Sequence, residues 1–116
     1  MRRKTWEPKD AQLPLVIKDS PWYFIHDFNT TQLCKGVLLL SNSAHQIKYV
    51  GCSHNNCLSD VLSVAIESGF DHKTTMVKAL YTQSDKDAQM IANVLIEKYQ
   101  PANNSIVQET LSKKIS

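Results

Sequence analysis

Three short runs in the first half of the chain have the composition and pattern of β-strands. They lie at residues 22–28, Gly36–Ser41 and 45–51. In the third run, Ile47 and Tyr49 alternate with polar residues, which is typical of a strand with one buried face. A short polar connection at 42–44 separates the second run from the third and suits a tight turn. We therefore predict that these two runs form an antiparallel hairpin.

From residue 57 the spacing of apolar residues changes to that of an amphipathic helix. Apolar residues at i, i+3, i+4, i+7 and i+8 are Leu58, Val61, Leu62, Ala65 and Ile66. This stripe predicts a helix over residues 57–68, which Gly69 ends. Residues 74–82 are rich in β-branched and apolar types, so they predict a further strand.

A second helix is predicted to begin after Ser84 or Asp85, since either side chain can cap its first turn. One face of this helix carries a row of apolar and aromatic residues, namely Ala88, Ile91, Ala92, Leu95, Ile96 and Tyr99. Pro101 ends it. Residues 105–116 predict either a frayed tail or a small docked helix.

Together these elements predict one domain of the α+β class. The chain has 116 residues, of which 42% are hydrophobic, and this suffices for a single core. We expect a small, mainly antiparallel sheet of three to four strands flanked by two main helices, over residues 22–104. Residues 1–21 combine several charges with three prolines, so they predict an extended arm that packs irregularly if it packs at all.

Net charge and cysteine content bear on the binding partners and the cellular compartment that we expect for this protein. A formal net charge of +2 demands no polyanionic partner, although a local basic patch leaves weak nucleic-acid binding open. Cys34, Cys52 and Cys57 are an odd number in a chain that can fold without disulfides, which favours a reducing compartment. No apolar run approaches the ~18 residues of a membrane span or the core of a signal peptide. We expect a cytoplasmic protein without a membrane segment.

The predicted hairpin carries two triplets, Gly36-Val37-Leu38 and Tyr49-Val50-Gly51, and position 49 lies eleven residues after position 38. A polar turn follows at 52–56, and the last helix ends in Tyr99, Pro101 and Asn104 at the spacing Tyr-x-Pro-x-x-Asn. In triplets, spacing and order of elements, residues 36–104 resemble the GIY-YIG endonuclease domain.

This resemblance implies phosphodiester cleavage by tyrosines from both triplets, an arginine on the first helix, a metal-holding glutamate on the last helix and a terminal asparagine. Tyr49 and Asn104 occupy two of these positions. The other three are occupied by Leu38, Ser59 and Ala92, none of which can do the corresponding chemistry. The resemblance therefore implies a degenerate site without a metal or other cofactor. Mg²⁺ or Mn²⁺ enters only if the chain is an active nuclease.

A second group of residues is compatible with metal binding. Cys52, His54 and Cys57 lie within six residues, and His72, His45 or Cys34 would complete a structural zinc site. The spacing is not that of a standard zinc finger. The alternative is that these residues form the turn between strand and helix, with the thiols as small buried groups.

Basic residues cluster at the start of the chain. Arg2, Arg3 and Lys4, with Trp6 and Lys9 nearby, have the types that contact backbone phosphates and stack on a base. Lys48, next to Tyr49, would flank a groove. The alternative is a solubilising tail.

Three functional hypotheses follow. The first is a nuclease-like domain that has lost catalysis and binds nucleic acid, most simply DNA with weak and non-specific affinity, or binds a protein. The second is a divergent metal-dependent GIY-YIG DNA endonuclease in which a lysine replaces the arginine and Asp60 or Glu67 replaces the glutamate. The third is an adaptor or assembly subunit with a protein partner.

Overall fold

The structure is a computed structural model that describes residues 5–28, 35–55, 57–67, 73–101 and 104. Its five strands are β1 (Lys18–Asp19), β2 (Tyr23–Phe24), β3 (Gly36–Ser41), β4 (Ile47–Cys52) and β5 (Met76–Tyr81). The two α-helices are α1 (Leu58–Glu67) and α2 (Asp85–Tyr99), and two 3-10 turns cover Pro8–Gln12 and Ile25–Asp27. All strand pairs are antiparallel, so the predicted α+β class is confirmed.

The predicted hairpin is formed, with β3 inside the sheet and β4 at its edge. β3 pairs with β4 on one side and with β5 on the other. In the connecting turn, Oδ1 of Asn42 accepts hydrogen bonds from the backbone N–H groups of Ala44 and Gln46, each at 3.0 Å. An asparagine that bonds to nearby backbone in this way stabilises a tight turn. The polar connection seen in the sequence thus closes the hairpin.

The predicted strand over residues 22–28 is wrong in its length. Only Tyr23 and Phe24 are extended, and a 3-10 turn follows at Ile25–Asp27. β1 and β2 both pair with β5, and Asp19 lies opposite Leu80 while Tyr23 lies opposite Val77. From Asp19 to Tyr23 the chain advances four residues, while the partner residues on β5 advance only three, from Leu80 to Val77. Residues 20–22 therefore form a bulge. Two-residue strands carry no alternation that a sequence pattern could reveal.

α1 and α2 cover opposite sides of the sheet, which we call the α1 face and the α2 face. The core on the α1 face consists of Leu38, Leu40, Tyr49, Leu58, Val61, Leu62, Ala65, Val77, Ala79 and Tyr81. The core on the α2 face consists of Trp6, Val37, Leu39, Ile47, Val50, Leu80, Ala88, Ile91, Ala92, Leu95 and Tyr99. Because both faces of β3 are covered, its side chains are all buried, which explains its uninterrupted apolar sequence.

Residues 5–21, which the sequence predicts to be an extended arm, pack on the domain. Trp6 is buried on the α2 face and stacks on Tyr99, with ring centroids 5.8 Å apart. Asp10 is buried and accepts hydrogen bonds from the Tyr99 hydroxyl at 2.5 Å and from Nζ of Lys98 at 2.8 Å. Buried charge is costly unless it is paired, so these partners anchor the segment to the end of α2.

The ends of α2 agree with the sequence prediction. Ser84 is the cap, and its side chain accepts a hydrogen bond from the N–H of Asp87 at 3.1 Å. Gln100 adopts the left-handed conformation after the last turn, and Pro101 follows it. The end predicted for the first helix at Gly69 and the tail at 105–116 lie outside the described residues. No helix of the described residues is long and apolar enough to cross a membrane.

Candidate functional site

Leu38 and Tyr49 lie on the same face of the β3–β4 hairpin. Leu38 is opposite Gly51 and Tyr49 is opposite Leu40, and both side chains belong to the core on the α1 face. Leu38 is fully buried and Tyr49 is 5% exposed. The two positions that the resemblance assigns to tyrosines are therefore adjacent, in a setting from which water is largely excluded.

The burial of Tyr49 changes its acidity. Loss of hydration raises the pKa of its phenol far above the ordinary value, and the Cys52 thiol adds to the shift. Neither cause is a cation, and a cation is what would favour the phenolate. Tyr49 therefore stays protonated at neutral pH and cannot act as a general base there.

The first helix offers polar groups at its start and its end. Ser59 is exposed, and its carbonyl oxygen accepts a hydrogen bond from Oγ of Ser63 at 3.0 Å. Oδ2 of Asp60 accepts a hydrogen bond from the N–H of Cys57 at 3.2 Å, so this carboxylate caps the helix. Glu67 is exposed on the last turn. A metal at Asp60 would compete with its capping bond.

Ala92 lies on the other side of the sheet. It is buried against the α2 face, among residues that include Val37 and Leu39. A side chain at position 92 and the ring of Tyr49 thus project into different cores, with the sheet between them. The structure therefore brings Leu38 and Tyr49 together but does not bring position 92 to them.

Asn104 makes a structural contact. Its Oδ1 accepts a hydrogen bond from the N–H of Val50 at 3.0 Å, and its Nδ2 donates to the carbonyl of Val50 at 2.8 Å. The side-chain amide thus takes the place of a neighbouring strand at the outer edge of β4. This contact uses both polar atoms of the side chain.

A polar cluster that sequence reasoning missed joins β3, β4 and α2. Oγ of Ser53 accepts a hydrogen bond from the N–H of Gly36 at 3.1 Å and donates to Oδ1 of Asp85 at 2.7 Å. Oδ2 of Asp85 accepts from the N–H of Asn55 at 2.8 Å, and Nζ of Lys35 lies 3.8 Å away. These bonds, with Ser53 first, lower the pKa of Asp85. Asp85 was predicted only as an alternative cap, because its partners are distant in sequence.

The candidate zinc ligands are dispersed. Cys52 and Cys57 carry reduced thiols, and burial raises the pKa of Cys52. Nδ1 of His54 lies 2.7 Å from Nε2 of Gln89. Among the residues that the structure describes, no three His, Cys, Asp or Glu side chains are placed to hold a metal ion. Cys34 and His72 lie outside those residues.

Thr5, the first described residue, lies near the start of β4. Arg2, Arg3 and Lys4 lie outside the described residues, but Thr5 pairs with Gln46, two residues before the half-buried Lys48.

Trp6 and Lys9, which were expected to act with the basic residues at the start of the chain, contact other residues of the domain. Trp6, expected to stack on a base, is instead buried against Tyr99. Nζ of Lys9 lies 3.2 Å from a carboxylate oxygen of Glu7.

Comparisons with protein-family models, with curated proteins and with solved structures find no match. The likeness to the GIY-YIG domain thus rests on the motif residues at positions 36–38, 49–51 and 99–104 and on the order of elements.

Proposed function

We propose that this chain is a GIY-YIG-like domain that has lost phosphodiester cleavage and binds nucleic acid weakly through basic residues at the start of β4. The observation that carries the proposal is the pairing of Thr5 with Gln46. Thr5 directly follows the basic sequence Arg2-Arg3-Lys4, and Gln46 directly precedes the strand that bears Lys48. We propose that basic side chains from both parts of the chain contact the same nucleic acid.

The burial of the positions that the resemblance assigns to catalysis supports the loss of cleavage. Leu38 and Tyr49 are buried in an apolar core, and Ala92 belongs to a different core. Arg2 and Arg3 are the only arginines of the chain. Phosphate cleavage needs groups that offset charge on the phosphoryl oxygens, and each such group contributes orders of magnitude to the rate.

Nucleic acid is favoured over a protein partner at this region because its chemistry is cationic. Lys48 lies at the register shift of the β3–β4 pair, where Leu40 is opposite Tyr49 and Ser41 is opposite Ile47. Three or four phosphate contacts give weak, sequence-independent binding, with dissociation constants of ~10⁻⁴ to 10⁻⁶ M and a log-log salt slope of roughly −3.

Fluorescence anisotropy with labelled single- and double-stranded DNA over a range of salt concentrations tests the proposal. Deletion of residues 1–4 should remove most of the salt slope while leaving Thr5 and Trp6 in place. Lys48→Ala should remove about one phosphate contact, so the magnitude of the log-log salt slope should fall by roughly 1. Lys86→Ala, an exposed lysine on the first turn of α2, is the matched control and should leave binding unchanged. Nanomolar affinity, or binding indifferent to both changes, would overturn the proposal.

Cleavage is tested separately with supercoiled and branched DNA in Mg²⁺ or Mn²⁺. We expect no nicking above background. Nicking that Tyr49→Phe abolishes would establish the divergent endonuclease instead. Association with a protein that survives nuclease treatment and the deletion of residues 1–4 would favour the adaptor hypothesis.

A further inference from the structure

We propose that the outer side of α2 is a self-association surface, on which α2 of a second copy of this chain packs antiparallel to the first. The surface consists of five exposed residues, which we call the α2 ridge: Lys86, Met90, Asn93, Val94 and Glu97. This inference is independent of the proposed nucleic-acid binding, which depends on the start of the chain and on Lys48 of β4.

The α2 ridge lies opposite the buried side of the helix. At about 100° per residue, its five positions fall within about 100° of arc, and Ala88 and Leu95 lie on the reverse side. Those two residues are fully buried in the core on the α2 face. The ridge is therefore the part of α2 that points furthest from the sheet.

Two large apolar side chains form the middle of the α2 ridge. Met90 is 52% exposed and Val94 is 53% exposed, and residues four apart on a helix are neighbours on its surface. A single exposed apolar residue is ordinary on a protein, but an adjacent pair gains free energy when a partner removes it from water.

A positive charge lies at one end of the α2 ridge and a negative charge at the other. Lys86 is on the first turn of the helix and Glu97 is on the last. Within the part of the chain that the structure describes, neither side chain has a hydrogen bond or an ion pair. A helix dipole favours the reverse arrangement, with acidic residues at the start and basic residues at the end. The dipole of α2 therefore does not account for these two charges, and both are available to a partner.

The order of residues along the α2 ridge is complementary to itself in an antiparallel pair. Met90 and Val94 are equidistant from position 92, while Lys86 precedes that position by six residues and Glu97 follows it by five. A two-fold axis beside position 92 places Met90 of each copy against Val94 of the other. It also brings each Lys86 to within about one residue, or about 1.5 Å along the helix, of the other copy's Glu97.

The remaining charges on α2 are compatible with this register. Asp87 and Lys98 both lie further round the helix, on the Val94 side of the ridge. The same axis places Asp87 of one copy near Lys98 of the other, so like charges are not opposed. The contact involves about five residues per copy, fewer than the roughly 20–30 of a standard interface. We therefore expect a reversible dimer that forms at high protein concentration.

Sedimentation equilibrium from about 10 µM to about 1 mM measures the association. Val94→Gln should raise the dimer dissociation constant by about tenfold, because symmetry removes two apolar contacts at once. Ile66→Gln on α1 is the matched control, since the native side chains are 53% and 54% exposed, and it should leave the constant unchanged. A monomer at every concentration would mean that a second copy does not occupy the ridge, and equal effects of the two variants would place the contact elsewhere. Either result would overturn the proposal.

The nucleic-acid and dimer proposals fail separately. Lys86→Ala removes one charge of the ridge and should weaken the dimer, but it should leave nucleic-acid binding unchanged at protein concentrations below the dimer dissociation constant. Deletion of residues 1–4 should have the opposite pair of effects.

The register is tested by exchanging the two charges of the ridge between copies. Glu97→Lys opposes lysines at both ends of the pair and Lys86→Glu opposes glutamates, so each variant alone should be monomeric over this concentration range. An equimolar mixture should dimerise, because each contact across the axis then joins opposite charges. Both substitutions suit the helix dipole, and circular dichroism checks that each variant is folded.

A second mixture controls for attraction between chains of different net charge. Asp27→Lys and Lys18→Glu make the same two changes of charge at exposed positions outside α2. These variants should associate no more strongly when mixed than either does alone. A mixture of Glu97→Lys and Lys86→Glu that stays monomeric would contradict the antiparallel register and with it the proposal.

Discussion

The ring of Tyr49 lies over Gly51, two residues further along β4 on the α1 face. A Cβ added at Gly51 would lie 2.6 Å from Cζ of Tyr49 and closer still to the hydroxyl oxygen. Real Cβ atoms do not approach other atoms so closely. The Tyr-x-Gly part of the second triplet therefore has a packing reason, in which an aromatic ring covers the bare backbone of a glycine.

Gly51→Ala should destabilise the domain by about 1–3 kcal/mol, because the methyl group displaces a buried ring. In a Tyr49→Leu background the same substitution should cost less than half as much. Urea denaturation of the four chains of this double-mutant cycle measures the coupling. Gly36→Ala is the control, since its methyl would lie 2.9 Å from Cα of Tyr81 and shortening Tyr49 should not relieve that cost. Equal costs of Gly51→Ala in both backgrounds would contradict the packing argument.

Asn104→Ala should destabilise the domain by about 1–2 kcal/mol, because two backbone groups of Val50 lose their partners. The effect should be local, so hydrogen exchange at the Val50 amide should accelerate more than exchange at Val37, inside the sheet. Asn104→Asp keeps the acceptor for the Val50 N–H but brings a carboxylate against its carbonyl, and it should not restore full stability. An unchanged exchange rate at Val50 would show that this edge contact is not formed in solution.

Tyr99→Phe should cost about 1–3 kcal/mol of stability. The lost hydroxyl donates to Asp10 and accepts from the N–H of Glu7 at 3.0 Å, so its removal leaves a buried carboxylate and an amide less well satisfied. Urea denaturation followed by tryptophan fluorescence reports the change, since Trp6 stacks on this ring. Tyr23→Phe, at an exposed position, should have little effect on the monomer, and a loss as large as that of Tyr99→Phe would contradict the assignment.

Asp85 gives the stability of the domain a dependence on pH. Its pKa is lowered in the folded chain by hydrogen bonds from Ser53 and Asn55. The stabilisation is therefore fully present above the ordinary Asp value of about 3.9 and is lost as the pH falls through the lowered value.

The advantage of the native chain over Asp85→Asn in free energy of unfolding should be largest near neutral pH. It should shrink below about pH 4, as the carboxylate becomes protonated. Denaturant titrations at a series of pH values measure this difference. Asp87→Asn, on the same first turn of α2, controls for the general effect of a carboxylate at a helix start. An advantage that is independent of pH would contradict the role assigned to the Asp85 carboxylate.

The sequence by itself determined the elements whose contacts repeat at short intervals. Alternation in β4, the apolar run of β3 and the 3.6-residue stripes of α1 and α2 each report burial of one element against a neighbour. The cap at Ser84 and the stop at Pro101 depend on local backbone chemistry, so they were also predictable. The sequence also suffices to exclude proton transfer or metal binding by the side chains at 38 and 92, because both are apolar whatever surrounds them.

The tertiary structure decided everything that depends on contacts between distant segments. The hydrogen bond from the Glu7 N–H to the Tyr99 hydroxyl joins residues 92 positions apart, and no periodicity in the sequence predicts it. Together with the buried Trp6 and Asp10, this bond packs the start of the chain against the end of α2. Likewise, only the fold separates position 92 from Tyr49 by a sheet, gives Asn104 its strand-like contact with Val50 and brings Thr5 beside Gln46. Such contacts form because the entropy of closing long loops is offset collectively by burial in the two cores. That burial is a property of the whole chain, and no local pattern encodes it.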